Sequence, residues 1–158
     1  MITIDPAAKS ATLSKSSLSR FVNSAQRATG LSGEVDILLS TDAELKRLNQ
    51  TFRGKNKPTD VLSFPTPAEI AQSHAGDLAI SLETAARQAR AFGHPLSDEL
   101  RILILHGLLH LNGMDHETDQ GEMAAREAEL RRQLRLPATL IERAAKPATP
   151  KREQRRRA

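Results

Sequence analysis

The sequence contains no cysteine, tryptophan or tyrosine, and four phenylalanines are its only residues of the Phe, Trp and Tyr class. The absence of cysteine excludes disulfide bonds, thiolate-ligated zinc, iron–sulfur clusters and a thiol nucleophile. An aromatic fraction of 3% disfavours proteins that bind RNA on a platform of stacked rings, such as RRM domains. Any catalytic or binding chemistry must therefore come from other side chains.

Long apolar segments are also missing. The longest apolar runs, such as Ile102–Leu105, are far shorter than the roughly 20 residues that a transmembrane helix requires. The first ten residues, MITIDPAAKS, lack the basic-then-apolar pattern of a signal peptide. We therefore expect a soluble, cytoplasmic protein that has no membrane partner.

The positive charge is concentrated near the C-terminal end of the chain. Residues 146–158 contain six Lys or Arg and one Glu, and subtracting their +5 from the net charge of +4 leaves −1 for residues 1–145. We expect one domain over residues 1–145 and a basic, disordered tail over residues 146–158, where no periodicity is present. Such a tail favours an anionic partner, above all nucleic acid, or is merely a solvated terminus.

Hydrophobic periodicity and turn residues divide the domain into about four strands and about five helices. Strands are predicted at 1–5, 35–39, 61–64 and 77–81. Helices are predicted at 14–29, from 41 through 52, at 82–92, at 98–111, and from about 119 to before Pro137. Because strands and helices alternate in places, some strands should pair in parallel through crossover helices. The sequence thus predicts an α+β fold with a small mixed sheet.

The most informative segment is HGLLHLNGMDH, residues 106–116. Residues four apart lie on the same face of a helix, so His106 and His110 can reach the same metal ion. Gly113 can then turn the backbone and bring His116 back as a third ligand. Three imidazoles with one open position are typical of a catalytic zinc site on a zincin-like helix. The alternatives are three unrelated histidines, or a buried pair that backbone groups satisfy.

This spacing is that of the metallopeptidase motif H-E-x-x-H-x-x-G-x-x-H, with one important difference. Position 107 is glycine, where a peptidase carries the glutamate that acts as general base. Peptide hydrolysis would then need another base, such as Asp115 or Glu117. A zincin-like peptidase is therefore ranked below the hydrolysis of another kind of bond.

The segment resembles the signature of the YbeY family of bacterial endoribonucleases and rRNA maturation factors. Three further segments support the resemblance: FRGKNKPTDVLSFP at 52–65, GDLAIS at 76–81 and EMAARE at 122–127. Together these segments cover most of residues 35–136. Met114 stands where the family commonly has Tyr, and we expect altered packing there with intact metal binding.

The resemblance implies a single-strand-specific, metal-dependent endoribonuclease that acts in rRNA maturation, ribosome biogenesis and ribosome quality control. It implies one zinc ion per chain, held by His106, His110 and His116, and a catalytic cleft arginine at Arg53. The partners would be single-stranded RNA, rRNA and components of the small ribosomal subunit. A second interpretation is a non-catalytic ribosome assembly factor that zinc only stabilises.

Several other polar residues have competing roles. Lys55 and Lys57 could contact RNA phosphates or could be solvated loop residues. Asp115 could orient an imidazole or could stabilise the turn. His74 and His94 lie in polar segments and are expected at the surface.

Overall fold

A computed structural model describes residues 1–8, 13–67, 69 and 73–145 of the chain. The basic tail expected at 146–158 therefore lies outside the described residues. The described residues form a single α+β domain, as predicted. In chain order its elements are β1 (Ile2–Ile4), α1 (Lys15–Thr29), β2 (Glu34–Ser40), α2 (Asp42–Arg53), β3 (Val61–Pro65), β4 (His74–Ser81), α3 (Leu82–Phe92), α4 (Leu96–Leu111), α5 (Glu122–Leu134) and α6 (Leu140–Ala145).

The strands form one mixed sheet in the order β1-β2-β4-β3. The β1–β2 and β2–β4 pairs are parallel, and the β3–β4 pair is antiparallel. Helix α1 joins β1 to β2, so a parallel pair is connected by a helical crossover, as the alternation of elements predicts. This order makes β3 an edge strand in the described part of the chain.

Helix α4 lies at the centre of the core. Eleven of its sixteen residues are buried, and the eight leucines and isoleucines among them belong to two hydrophobic clusters. An apolar helix of this kind is surrounded by other elements, which hold it rigidly. Among the described residues, no helix has both the length and the apolar character needed to span a bilayer.

A glycine allows α4 to approach the sheet closely. A Cβ atom at Gly107 would lie 2.7 Å from Leu78 Cδ2 on β4. Leu78 is only 1% exposed, so its side chain has little free space to move into. Packing against the sheet therefore explains why glycine occupies position 107.

The predicted helix boundaries agree closely with the structure, with one shift. Ser14 and Thr41 cap the first two helices, and each side-chain oxygen accepts an N–H from the first turn. Helix α5, however, begins at Glu122 and not near Asp119. Gly121 adopts φ 100° at this boundary, and the Asp119 carboxylate accepts its N–H from outside the helix.

Helix α6 is an additional helix that the sequence does not predict. Its six residues are too few to show a helical period, so long-range contacts must stabilise it. Arg143 of α6 is buried and donates hydrogen bonds of 2.6 and 2.7 Å to the two carboxylate oxygens of Glu99 on α4.

The same Glu99 carboxylate explains why the prediction for His94 is wrong. The His94 side chain is 8% exposed, and its Nε2 lies 2.7 Å from Glu99 Oε1. The flanking glycine and proline suggest a surface loop, but the partner that buries His94 lies on the next helix. His74 is more accessible, as expected.

Candidate metal centre

A cleft of about 700 Å³ lies beside the edge strand β3. Part of its lining comes from the end of α2 and the loop that follows it. The rest comes from β3, from the end of α4 with its following loop, and from α6. Its histidines and charged residues are Arg53, Lys55, Lys57, Asp60, His106, His110, Asp115, His116 and Glu117.

The structure brings the three histidines of the sequence motif together in this cleft. The ring centroids of His106 and His110 lie 4.7 Å apart. The His116 centroid lies 5.0 Å from that of His106 and 5.3 Å from that of His110. One candidate ligand atom from each ring lies within 4.8 Å of the other two. Helix α4 ends at Leu111, and Gly113 with φ 91° forms the turn that returns His116 to the helix.

Hydrogen bonds fix which nitrogens of two rings face each other. His106 Nδ1 lies 2.8 Å from Glu127 Oε2. His110 Nδ1 lies 2.9 Å from the Met114 carbonyl oxygen. Because a carboxylate and a carbonyl only accept, each Nδ1 donates and each Nε2 keeps its lone pair. The two Nε2 atoms lie 3.1 Å apart.

This donor set fits a zinc ion. Two imidazole nitrogens bound to one tetrahedral zinc at about 2.0–2.1 Å lie about 3.3 Å from each other, close to the observed Nε2 separation. In addition, His116 Nδ1 is buried and has no hydrogen-bond partner in the part of the chain that the structure describes. Buried nitrogens without a protein partner are those that a metal can satisfy.

Burial also prepares His110 for metal binding. It lowers the pKa of His110, and repulsion from His106 lowers this pKa further, although the hydrogen bond to Met114 opposes both effects. A lower pKa keeps the imidazole neutral, which is the form that binds metals.

Glu127 is the polar partner that sequence reasoning missed. It lies on α5, is 1% exposed and bonds His106 across 21 residues of sequence. A carboxylate that accepts the outer N–H of a metal-binding histidine fixes the orientation and tautomer of the ring. The signal in the sequence is the position of Glu127, four residues after Met123 and three before Leu130, on the face that these apolar residues bury.

The basic loop after α2 lies in the same cleft. Arg53 is the last residue of α2, and Gly54 with φ 69° turns the chain into the loop that carries Lys55 and Lys57. All three basic side chains are exposed, and Asn49 Nδ2 holds the loop by a 3.0 Å hydrogen bond to the Lys57 carbonyl oxygen. The cleft therefore has imidazoles in one part of its lining and positive charge in another.

Comparison with known proteins gives the family. A profile of the family described as Endoribonuclease YbeY matches residues 3–135. This chain belongs to the endoribonuclease YbeY family. The resemblance found in the sequence is thereby confirmed.

Individual YbeY relatives match almost the whole chain. The endoribonuclease YbeY of Koribacter versatilis (strain Ellin345) is 54% identical over 140 residues, which cover 89% of this chain and 90% of that protein. That of Solibacter usitatus (strain Ellin6076) is 49% identical over 133 residues, which cover 84% and 88%. A solution structure from Thermotoga maritima, 27% identical, is similar with a TM-score of 0.55 over 94% of this chain and 95% of that one.

The YbeY profile includes the histidine motif and the basic loop but ends before α6. Two other residues of the motif, Asp115 and Met114, take part in hydrogen bonds with backbone groups. Asp115 accepts the Glu117 N–H at 3.1 Å, so it stabilises the turn. Met114 orients His110 through its carbonyl oxygen, a group that any residue at this position supplies.

Proposed function

We propose that this YbeY family member is an endoribonuclease that cleaves single-stranded RNA with one zinc ion held by His106, His110 and His116. The observation that carries the proposal is the shared cleft, which is lined both by these imidazoles and by the basic loop. The name of the family supplies the reaction, hydrolysis within an RNA chain.

The biological setting follows from the resemblance to rRNA maturation factors. We infer that the enzyme acts in the cytoplasm, in rRNA maturation, ribosome biogenesis and ribosome quality control. Its partners would be single-stranded rRNA and components of the small ribosomal subunit. The basic tail at 146–158 would add attraction to these anionic partners.

Different residues of the cleft would bind the metal, stabilise the transition state and bind the RNA strand. When bound, zinc supplies Lewis-acid polarisation of a phosphoryl oxygen and activation of water near neutral pH. The Arg53 guanidinium can donate two parallel hydrogen bonds to phosphate oxygens, where charge accumulates in the transition state. Lys55 and Lys57 offer further contacts to phosphates of the bound strand.

Two other functions are less well supported by the geometry. In the peptidase motif a glutamate stands beside the first histidine, but position 107 faces Leu78 of the sheet. A glutamate there would enter the contact between α4 and β4. A purely structural zinc site normally has four protein ligands, and among the described residues the cluster consists of three histidines.

An assay on three substrates tests the proposal. Purified protein loaded with zinc should cleave single-stranded RNA, should cleave duplex RNA much more slowly and should leave casein intact. The His106→Ala/His110→Ala variant, purified identically, controls for contaminating nuclease and should be inactive. RNA cleavage by this variant at the wild-type rate would refute the zinc mechanism. Casein cleavage by the wild type but not by the variant would favour a peptidase.

A further inference from the structure

The carboxylate of Glu127 lies between the histidine cluster and helix α6. Its Oε2 is 2.8 Å from His106 Nδ1, and its Oε1 accepts the backbone N–H of Ile141 at 3.0 Å. Ile141 is the second residue of α6. One buried side chain therefore contacts both a candidate metal ligand and the start of this helix.

Helix α6 forms part of the cleft. Leu140, Ile141 and Ala144 line it, so displacement of α6 would open the cleft near the histidines. The far end of α6 is held separately, because Arg143 pairs with Glu99 and lies 4.4 Å from the centroid of the Phe92 ring. Among the hydrogen bonds of the described residues, those of Glu127 join α6 to the histidine cluster.

We propose that Glu127 is a positioning residue that couples the docking of α6 to metal binding at His106. The proposal rests on the metal site proposed above and requires nothing about RNA cleavage.

The coupling follows from the cost of burying a carboxylate. At 1% exposure Glu127 receives little hydration, so protein donors must stabilise its charge. A cation at His106 Nε2 withdraws electron density from the ring and makes the Nδ1–H a stronger donor to Glu127. That bond holds the carboxylate with its Oε1 towards the Ile141 N–H, and undocking of α6 exposes Glu127 to water and frees the side chain that orients His106.

Metal binding and α6 docking should consequently favour each other. Thermodynamic linkage makes the effect reciprocal: metal stabilises docked α6 by the same factor by which docked α6 raises the metal affinity. A Gln at position 127 keeps the shape of the side chain but has one acceptor oxygen, so it can maintain at most one of the two hydrogen bonds.

Amide hydrogen exchange on the wild type provides the first test. The N–H groups of Ile141, Glu142 and Arg143 are hydrogen-bonded in or at α6, and their exchange should slow when zinc is added. A coupling of ordinary size would slow their exchange about 5-fold or more. The amides of α1, to which Glu127 makes no hydrogen bond among the described residues, serve as the internal reference.

Variants provide the second test. Glu127→Gln should lower zinc affinity about 10–100-fold, measured by competition with a chromogenic chelator. It should also abolish the zinc-dependent protection of α6. Glu129→Gln is the matched control, because it removes the same charge from an exposed position of the same helix, and it should match the wild type in both measurements.

The outcomes separate the coupling from the proposed function. Unchanged α6 exchange in wild type that binds zinc would overturn the coupling, even if Glu127→Gln fails to fold. Zinc affinity within twofold of the wild type in folded Glu127→Gln would overturn it as well. A wild type that binds no zinc overturns both proposals, whereas a coupled but RNA-inactive protein overturns only the nuclease function.

Discussion

The Nε2 atoms of His106 and His110 face each other at 3.1 Å, and acceptors on the far side of each ring hold both nitrogens in this position. Two lone pairs this close repel each other unless a cation or a proton lies between them. Both residues lie on the largely buried helix α4, so their rings cannot easily turn away from each other. The relationship therefore favours a bound cation more strongly than the sequence spacing alone.

Metal content should reflect this geometry. The isolated protein should contain about one zinc ion per chain after gentle purification. His106→Ala/His110→Ala should contain almost none, because one remaining imidazole gives weak binding. Elemental analysis measures both, and Glu129→Gln, at an exposed position that does not line the cleft, is the control. Equal zinc in the double variant and the wild type would contradict the predicted ligand set.

The lowered pKa of His110 predicts a pH effect on metal-free protein. Burial makes protonation less favourable in the folded state than in the unfolded state, where the pKa is about 6.5. As the pH falls below about 6.5, the unfolded state therefore binds more protons and the free energy of unfolding decreases. Denaturant titrations across this range should show a steeper loss for the wild type than for His110→Gln. Parallel curves would show that His110 is not the source.

Arg53→Ala should lower RNA turnover far more than stability. Loss of one transition-state contact of this kind costs about 10²–10³ in rate, whereas an exposed residue changes the free energy of unfolding by roughly 0.5 kcal/mol. Cleavage rates and thermal midpoints measured together distinguish the two effects. Arg47→Ala on the same helix is the control, since Arg47 pairs with Glu44 and does not line the cleft. An unimpaired rate would contradict a catalytic role for Arg53 and leave it as the basic residue that stabilises the last turn of α2 through the helix dipole.

Local features of the sequence predicted much of this molecule. The spacing of His106 and His110 needs only one helix, and the return of His116 needs only one glycine turn, so short-range geometry determines their convergence. The strands and the first helices are likewise set by alternation and capping residues. Such features depend on neighbours within a few residues of the chain.

Contacts across the fold were not predictable in this way. Glu127 reaches His106 from another helix, and His94 is buried by Glu99, which Arg143 also contacts. Each depends on how separate helices pack, which periodicity does not encode. Helix α6 exists through the same long-range contacts, so the sequence showed neither the helix nor its link to the metal centre.

Gly107→Ala tests whether close packing of α4 on the sheet explains the missing peptidase glutamate. Overpacking against Leu78 should cost about 1–3 kcal/mol, which exceeds the gain of up to about 1 kcal/mol in helix propensity. Gly107→Glu should be more destabilising and should not produce peptidase activity. Chemical denaturation gives the free energies of unfolding. A more stable Gly107→Ala would show that Leu78 has room to move.

The basic tail should govern long-range attraction to RNA. Residues 146–158 carry +5, whereas residues 1–145 carry −1, so most attraction at a distance should come from the tail. If it neutralises several phosphates, the log–log dependence of affinity on salt should steepen by about −0.7 per contact on single strands. A chain ending at Ala145 should therefore bind RNA more weakly, with a flatter salt dependence.

Titrations at three salt concentrations compare the full chain with this truncation and with a chain whose six basic tail residues are replaced by Gln. The Gln variant separates charge from length, and both altered chains should give the same flattened slope. Zinc content should not change, because the histidine ligands lie 30 or more residues before the tail. Cleavage of short RNA at saturating concentration should also persist, since the tail contributes to encounter and not to chemistry. Identical slopes for all three chains would assign the RNA contacts to Arg53, Lys55 and Lys57 instead.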